Sequence, residues 1–234
     1  MPDITLYQYE ISPFCEKVRR ILNYKQQTYS CENITLLQSQ LGKTKKLGVA
    51  GKLPALKIGT EMISDSTDIA YRLEVLFPEK SLIPTNKKQQ AHMHFFEDWA
   101  DESLYFYEVY LRFAIKSNQA HWGKESAKYD HPAFAAIAKF VAPKVLNDVA
   151  NKQGIGRKDW ATVEKDLNRH LSSLEDWLED DSFLVADKLS LADIAVFSQL
   201  HCMMTTPQGQ IAVSQYSNIQ RWMKNVDQLT CSTL

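Results

Sequence analysis

The turn at Ser12-Pro13 is the first place in the chain where side chains could do chemistry. Ile4 and Leu6 alternate with their neighbours as in a strand. A helical stripe follows, formed by Phe14, Val18, Ile21 and Leu22. Ser is a favoured N-cap, and Pro suits the first helical turn because its missing N–H is not needed there. Ser12 is therefore predicted to lie beside free backbone N–H groups that could hold an anion, although a plain helix cap would have the same sequence.

Two later segments place polar groups at the ends of predicted elements. Leu53 and Pro54 open a segment with the pattern of a strand, and the start of a strand tolerates proline. After a short partner strand, Asp65 and Ser66 have the side chains of a helix cap. The predicted order is β-α-β-(α)-β-β-α over residues 1–78, which is a compact α/β unit.

The rest of the chain has the spacing of helices. Prolines and the absence of a helical period predict a linker over residues 79–86, and residues 87–234 are predicted to be all-helical. One helical stripe is predicted to be core, formed by Trp160, Val163, Leu167, Leu171, Leu174 and Leu178. Ser190 and Asp193 have the spacing of a capping box at the start of a buried helix.

The predicted helix over residues 87–116 is rich in aromatic residues. Its aromatic side chains are Phe95, Phe96, Trp99, Tyr105, Phe106, Tyr107, Tyr110 and Phe113. One core stripe of a helix cannot hold so many rings, so part of this helix is expected to face a partner or a pocket.

Composition and charge narrow the range of functions. The 234 residues include 27 basic and 28 acidic ones, and the net charge of −1 gives no electrostatic reason to expect nucleic acid or an anionic membrane as a partner. No apolar run approaches the length of a membrane span, and the start lacks the pattern of a signal peptide. The four cysteines are scattered and the six histidines lack ligand spacing, which predicts reduced thiols, no metal site and a cytoplasmic protein.

The motifs in their order resemble the cytosolic glutathione transferase superfamily, in a serine-type or omega-like bacterial form. They are the strand-Ser-Pro-Phe-Cys-helix turn, the Leu-Pro pair, the Asp-Ser cap and the Ser190/Asp193 box. The resemblance covers essentially the whole chain. It implies a thioredoxin-like α/β domain over residues 1–78 and an all-α helical-bundle domain over residues 87–234. It also implies a homodimer that uses glutathione as co-substrate, without a metal, in detoxification.

The resemblance implies a role for Ser12. A hydroxyl that donates to the sulfur of glutathione beside a helix N-terminus favours the thiolate over the thiol. Ser12 matches the position that carries serine in the serine-type members and cysteine in the omega-type members. It lies seven residues before Arg19, as in the serine-type pattern. Tyr7 and Tyr9 are alternatives, because other classes use a tyrosine near the end of this strand.

The remaining glutathione contacts are implied in the same way, and they are Phe14, Lys52, Leu53, Pro54, Asp65 and Ser66. Leu53-Pro54 matches the family's cis-proline step, which turns the preceding backbone toward the cysteinyl part of glutathione. Asp65-Ser66 matches a Glu/Gln-Ser pair that binds the γ-glutamyl carboxylate and ammonium, with Asp shorter than the usual Glu. Lys52 matches a position that contacts the glycyl end.

Cys15 completes a Ser-Pro-Phe-Cys segment that looks like a glutaredoxin motif whose first cysteine has become serine. A serine cannot form the mixed disulfide that thiol exchange requires. Cys15 is expected on the inner face of its helix, next to Val18 and Leu22, as a buried structural thiol. If it is exposed instead, its position in the first helical turn would lower its pKa and make it reactive.

The implied function is transfer of glutathione to a small hydrophobic electrophile. The electrophile is expected between the glutathione site and the aromatic helix, near Trp99, Tyr105 and Tyr107. Two alternatives stay open. One is a glutathione-dependent thiol reductase that uses Cys15, and the other is a non-enzymatic, transferase-like regulatory or scaffold protein. The sequence does not identify the electrophile.

Overall fold

The fold has an α/β part followed by a helical part, as predicted from the sequence. The computed structural model describes residues 3–179, 181–185 and 187–231. The strands of the α/β part are β1 (Ile4–Gln8), β2 (Ser30–Asn33), β3 (Ala55–Ile58) and β4 (Glu61–Ser64). Its helices are α1 (Pro13–Tyr24), α2 (Leu36–Gln40) and α3 (Ser66–Leu76).

The strands form a mixed sheet in the order β2-β1-β3-β4. β1 runs parallel to β2 and antiparallel to β3, while β3 and β4 form an antiparallel pair. The crossover between the parallel strands is α1, as such a connection requires. Ile4 and Leu6 of β1 are buried in the same core as Val18, Ile21 and Leu22 of α1. The apolar residues of the β1 alternation and of the α1 stripe therefore pack against each other in one core.

The aromatic helix after the linker is nearly continuous from residue 87 to 114. It consists of α4 (Lys87–Trp99), a π-helical segment (Ala100–Leu104), α5 (Tyr105–Val109) and a second π-helical segment (Tyr110–Ala114). The helices after it are α6 (Lys116–Ser126), α7 (Pro132–Gln153), α8 (Trp160–Leu178), α9 (Leu191–Met203), α10 (Pro207–Val213) and α11 (Ser217–Thr230). The sequence predicted this region to be helical without placing α6 and α10 as separate helices, because α6 has few apolar residues at helical spacing and α10 has only 7 residues.

The helical part has its core around α8 and α9. The predicted stripe of α8 is buried from Val163 to Leu178, with Trp160 only partly buried, and α9 is buried on all sides except at His201. The predicted capping box is present, since the Asp193 carboxylate accepts from the backbone N–H and the hydroxyl of Ser190 at 2.8 and 2.7 Å. Asp193 also accepts from the indole N–H of Trp222 at 2.8 Å, which ties α9 to α11.

Several large apolar residues of α7 lie on its outer face. Ile137, Val141 and Val145 are 66%, 48% and 53% exposed. The inner face of α7 approaches α6 closely, since a Cβ atom at Gly123 would lie only 2.0 Å from the Lys139 carbonyl oxygen. A helical period is therefore present in α7, but the apolar residues that mark it are not core residues of this chain.

A buried ion cluster joins the α/β part to the helical part. The Lys17 ammonium on α1 lies 2.8 Å from Glu97 on α4 and 2.8 Å from Asp101 in the first π-helical segment. Thr67 on α3 donates to the same Glu97 carboxylate at 2.8 Å. Because Thr67 follows Ser66 directly, this cluster fixes the first turn of α3 against the helical part.

Candidate glutathione site

The register of the sheet brings the three predicted glutathione-binding segments to the same end of its strands, which we call the candidate glutathione edge. Tyr7 near the end of β1 pairs with Ala55 at the start of β3, and Ala55 pairs with Ser64 at the end of β4. The chain after β1, the chain before β3 and the chain after β4 therefore leave the sheet at the same end. Ser12, Leu53-Pro54 and Asp65-Ser66 lie on these three segments.

Ser12 is the N-cap of α1, as predicted. Its backbone is extended, and its Oγ accepts from the Cys15 N–H at 3.4 Å. A hydroxyl has one donor and two acceptor positions, so Ser12 can cap the helix and still donate to an anion. Ser12 is partly exposed, and its hydroxyl lies at the positive end of a helix of 12 residues.

The backbone of Leu53 is the second polar element of this edge. The Leu53–Pro54 peptide bond is cis. Within the described residues, the N–H and C=O of Leu53 form no hydrogen bond, whereas the Pro54 carbonyl accepts from the Asp65 N–H at 3.3 Å. An unpaired N–H and C=O on one residue can pair with an extended peptide in the manner of an added strand. Lys52 next to it is exposed.

The start of α3 provides the third polar element. Asp65 is the N-cap, with a φ of 86°, and its Oδ1 accepts from the Thr67 and Asp68 N–H groups at 2.9 and 3.4 Å. The Ser66 hydroxyl and N–H have no partner in the described ranges of the chain. Two free donors at a helix N-terminus suit a carboxylate. The sequence interpretation of Asp65 as a cap is therefore correct, and this role uses one of its two carboxylate oxygens.

The structure separates the three aromatic residues predicted to line the electrophile pocket. Tyr105 packs on Phe14, with ring centroids 4.9 Å apart, so it lies beside the candidate glutathione edge. Trp99 and Tyr107 do not lie there. Both contact His170 of α8, with centroids at 5.8 and 5.4 Å. The prediction treated the helix as one aromatic surface, whereas Tyr105 and Tyr107 lie about 200° apart around a helix.

Tyr105 has the chemistry of a neutral hydrogen-bond donor. Burial and the nearby Glu108 raise the pKa of Tyr105 to about 12. Its hydroxyl has no hydrogen-bond partner among the residues described. A neutral phenol beside Phe14 can donate to an oxygen of a molecule held at this edge.

Cys15 is buried, as its position on the inner face of α1 predicted. It is 0% exposed, and burial raises the pKa of its thiol to about 11, against a smaller lowering by the Ser12 hydroxyl. A thiol that is protonated and covered from solvent is a poor nucleophile. Of the two tyrosine alternatives to Ser12, Tyr7 packs against a small apolar cluster with Leu53, and burial raises the pKa of Tyr9.

The sequence analysis missed a buried arginine behind the Ser12 turn. Arg112, in the second π-helical segment, donates to the Ile11 carbonyl at 2.6 Å and pairs with Glu108 at 2.6 Å. Both charged side chains are 2–3% exposed, and the guanidinium lies 3.9 Å from the centroid of the Trp122 ring. The available signal was a Glu–Arg pair at i, i+4 inside an otherwise apolar run, where charges must be paired to be buried.

Within the described ranges, no group of three or more His, Cys, Asp and Glu side chains is arranged to hold a metal ion. None of the helices in these ranges is both long and apolar enough to span a membrane.

Comparison with known proteins identifies the family. Residues 6–81 match the model of the glutathione S-transferase N-terminal domain, and residues 135–229 match that of the glutathione S-transferase C-terminal domain. The chain belongs to the glutathione S-transferase family, whose members use glutathione as co-substrate.

Individual relatives are distant. The chain is 25% identical over 226 residues to an isoprene-epoxide glutathione S-transferase from Rhodococcus sp. strain AD45, with 88% of each chain covered. It is 24% identical over 208 residues to a zeta-class glutathione S-transferase from Euphorbia esula, covering 87% of this chain and 77% of the relative. Among solved structures, the beta-etherase LigF from Sphingobium sp. strain SYK-6 matches with a TM-score of 0.64 and 20% identity, covering 96% and 94% of the two chains. These likenesses to solved structures establish the fold.

Proposed function

We propose that the protein is a glutathione transferase in which Ser12 stabilises the glutathione thiolate for attack on a small hydrophobic electrophile. The observation that carries this proposal is a set of polar groups at the same end of the strands that keep donors or acceptors free for a ligand. These are the Ser12 hydroxyl at the start of α1, the backbone of Leu53, and the hydroxyl and N–H of Ser66 at the start of α3.

Each group is matched by a part of glutathione. The Leu53 N–H and C=O suit the peptide groups of the cysteinyl residue. The Ser66 donors suit the γ-glutamyl carboxylate, and the second oxygen of Asp65 is free for the ammonium group. Lys52 is exposed on the segment before Leu53, where a glycyl carboxylate would give it a partner. The sulfur then lies toward Ser12 and the positive end of α1.

The chemical step follows from this placement. A glutathione thiol is mostly protonated at neutral pH. The Ser12 hydroxyl donates to the sulfur and the helix dipole favours its negative charge, so the bound thiol loses its proton to solvent more readily. The thiolate attacks the electrophile, forming a C–S bond while the leaving group takes the electron pair.

Tyr105 and Phe14 are the proposed contacts for the electrophile. An apolar ring pair suits a hydrophobic acceptor, and the phenol of Tyr105 can donate to an oxygen that becomes negative as its bond to carbon breaks. An epoxide has such an oxygen, and one relative is named for an epoxide substrate. Small epoxides are therefore the first electrophile class to test. We also propose that the protein is a cytoplasmic homodimer that acts in detoxification.

The buried Cys15 gives no support to the thiol reductase alternative, since its thiol is inaccessible and its pKa is raised to about 11. The Cys15→Ser variant should accordingly conjugate glutathione as the wild type does.

Calorimetric titration with glutathione tests the proposal. Wild type should bind glutathione, and Ser66→Ala should bind about tenfold more weakly, because a charge-assisted bond to the carboxylate is lost. Ser172→Ala, an exposed serine of α8, is the matched control and should bind as the wild type does. Conjugation is then followed with styrene oxide and with chlorodinitrobenzene. If wild type does not bind glutathione at millimolar concentrations, the proposal is wrong and the scaffold alternative takes its place.

A further inference from the structure

The peptide group that joins Ile11 to Ser12 is held by hydrogen bonds on both of its polar atoms. The Ser12 N–H donates to the Tyr9 carbonyl at 3.1 Å, which is a contact within the turn between β1 and α1. The Ile11 carbonyl accepts from Nη1 of Arg112 at 2.6 Å, and Arg112 lies 101 residues further along the chain. Because a peptide group is planar, these two bonds fix its orientation, and with it the direction in which the chain enters Ser12.

The guanidinium of Arg112 joins this turn to the helical part through two separate nitrogens. Nη2 donates to the Cys202 carbonyl and the Thr205 hydroxyl at 3.1 Å each, at the C-terminal end of α9. Nη1 lies 2.6 Å from the Glu108 carboxylate, one turn earlier in the aromatic helix, and also donates to Ile11. A lysine has a single nitrogen in place of this fork, so it cannot reach both sides.

The place of Arg112 in its helix is an independent indication of a role beyond stability. Arg112 lies in the π-helical segment Tyr110–Ala114, and such segments are frequent at functional sites. Its side chain and that of Glu108 are 3% and 2% exposed. A buried ion pair is a costly way to stabilise a fold, since well-packed apolar residues of similar volume are often as stabilising or more so. The carbonyl that the guanidinium holds gives the pair a function.

The proposed chemistry is sensitive to the exact position of Ser12. Its hydroxyl accepts from the Cys15 N–H at 3.4 Å and has to donate to the sulfur at the same time. A misplacement of about 1 Å can reduce the rate of such a step about 100-fold. The neighbouring Glu10 carbonyl accepts from Arg19 at 3.1 Å, but this bond is exposed to solvent, whereas the guanidinium of Arg112 is buried. Arg112 therefore provides the bond to this turn that is shielded from water.

We propose that Arg112 is a positioning residue, which holds the Ile11–Ser12 peptide in the orientation that directs the Ser12 hydroxyl at the sulfur of bound glutathione. Arg112 acts through Ser12 and does not itself touch glutathione. This inference rests on the proposed transferase function, because it assigns to Arg112 the alignment of the group that stabilises the thiolate. Glutathione affinity depends on other groups, those of Leu53 and Ser66, and is a separate property.

Arg112→Lys tests the proposal in the full-length protein, since it keeps a cation beside Glu108 and removes the fork. Thiolate absorbance against pH gives the thiol pKa of bound glutathione, and calorimetry gives the affinity. We expect the thiol pKa to rise by about 0.5–1 unit in Arg112→Lys, which makes the thiol a weaker acid by about three- to tenfold, at unchanged affinity. Should Arg112→Lys fail to fold, Glu108→Leu combined with Arg112→Met removes both charges and provides the same comparison.

Arg20→Lys is the matched control for a buried arginine. Arg20 is buried, pairs with Glu16 at 2.7 Å and lies 4.1 Å from the centroid of the Phe197 ring, so its surroundings resemble those of Arg112. Its further hydrogen bond goes to Thr230 at the end of α11, not to the turn between β1 and α1. Arg20→Lys should therefore lose stability but keep the thiol pKa of the wild type.

Combination with Ser12→Ala shows whether Arg112 acts through Ser12. In the Ser12→Ala background, Arg112→Lys should have no further effect on the thiol pKa, because the hydroxyl that it positions is absent. An equal rise with and without the Ser12 hydroxyl would overturn the positioning role. If Ser12→Ala raises the thiol pKa and Arg112→Lys leaves it unchanged, the inference is wrong while the transferase proposal stands. If Ser12→Ala itself leaves the thiol pKa unchanged, the proposed role of Ser12 fails, and the inference fails with it.

Discussion

Replacing Arg112 by methionine should destabilise the protein strongly, because it leaves the Glu108 carboxylate buried without a counter-charge. The two side chains are 2–3% exposed and 2.6 Å apart. Arg112 also donates to the Cys202 carbonyl and the Thr205 hydroxyl at 3.1 Å each, which holds the C-terminal end of α9 against the aromatic helix. Methionine keeps the apolar stem but none of these bonds.

The expected loss is about 3–5 kcal/mol of unfolding free energy, the range found when one partner of a buried pair is removed. Arg72→Met is the matched control. Its pair with Glu61 is 2.8 Å long but the side chains are 37% and 43% exposed, so its loss should cost less than about 1 kcal/mol. Urea denaturation followed by far-UV circular dichroism measures both values.

A double variant separates the charge from the packing. Glu108→Leu combined with Arg112→Met removes both charges, and should be more stable than Arg112→Met alone although it carries one more substitution. If the double variant is as unstable as the sum of the two single variants, the two side chains do not interact, and the reasoning from the unpaired carboxylate is refuted.

The pH dependence of Arg112→Met gives an independent check. Burial already raises the pKa of Glu108, and Arg112 lowers it. Without Arg112 the folded carboxyl keeps its proton at a pH where the unfolded carboxyl, with a pKa of about 4.3, has lost it. The folded state then binds more protons, so the stability of the variant should be greatest at acidic pH. It should fall as the pH rises through the pKa of the folded carboxyl, and fall further than that of wild type.

Three further predictions follow from other buried groups. Lys17→Met leaves the buried Glu97 and the partly buried Asp101 without a cation and should cost about 3–5 kcal/mol, measured by urea denaturation. A loss below about 1 kcal/mol would contradict the stabilising role of this ion cluster. Asp193→Ala removes bonds to Ser190, Leu184 and Trp222 and should lower the melting temperature by more than about 10 °C, measured by calorimetry. Of the four thiols, only the exposed Cys31 and Cys231 should react rapidly with dithionitrobenzoate. Cys15 and Cys202 are buried, and the pKa values of their thiols are raised to about 11 and about 12. Rapid reaction of all four thiols would contradict this prediction.

The fold could be predicted from the sequence where the residues of an apolar pattern are also buried in the structure. The strand alternation at Ile4 and Leu6 and the stripe of α8 both describe surfaces that the chain buries against itself. The stripe of α7 has the same period, yet Ile137 is 66% exposed. Periodicity identifies a helix, and which elements cover its apolar face depends on tertiary contacts that a local pattern does not contain.

The polar segments of the candidate site could be placed because each lies at the end of an element. Caps such as Ser12 and Asp65 are set by local backbone chemistry, and the sheet register then brings them to one edge. The aromatic residues could not be assigned to the correct side of their helix, because the prediction treated all the rings as one surface and the π-helical segment Ala100–Leu104 shifts the rotation of Tyr105 and Tyr107 relative to Trp99. Arg112 reaches Ile11 across 101 residues of chain, a contact that local spacing does not reveal.

The thiol pKa of bound glutathione in wild type and Ser12→Ala tests the central proposal most directly. Thiolate absorbance is followed against pH at saturating glutathione, with calorimetry to confirm that both proteins bind it. We expect thiolate at neutral pH in wild type, and a pKa about 1–2 units higher in Ser12→Ala at nearly unchanged affinity. If Ser12→Ala binds glutathione and shows the same thiolate as wild type, Ser12 is only a helix cap and the proposed mechanism is wrong.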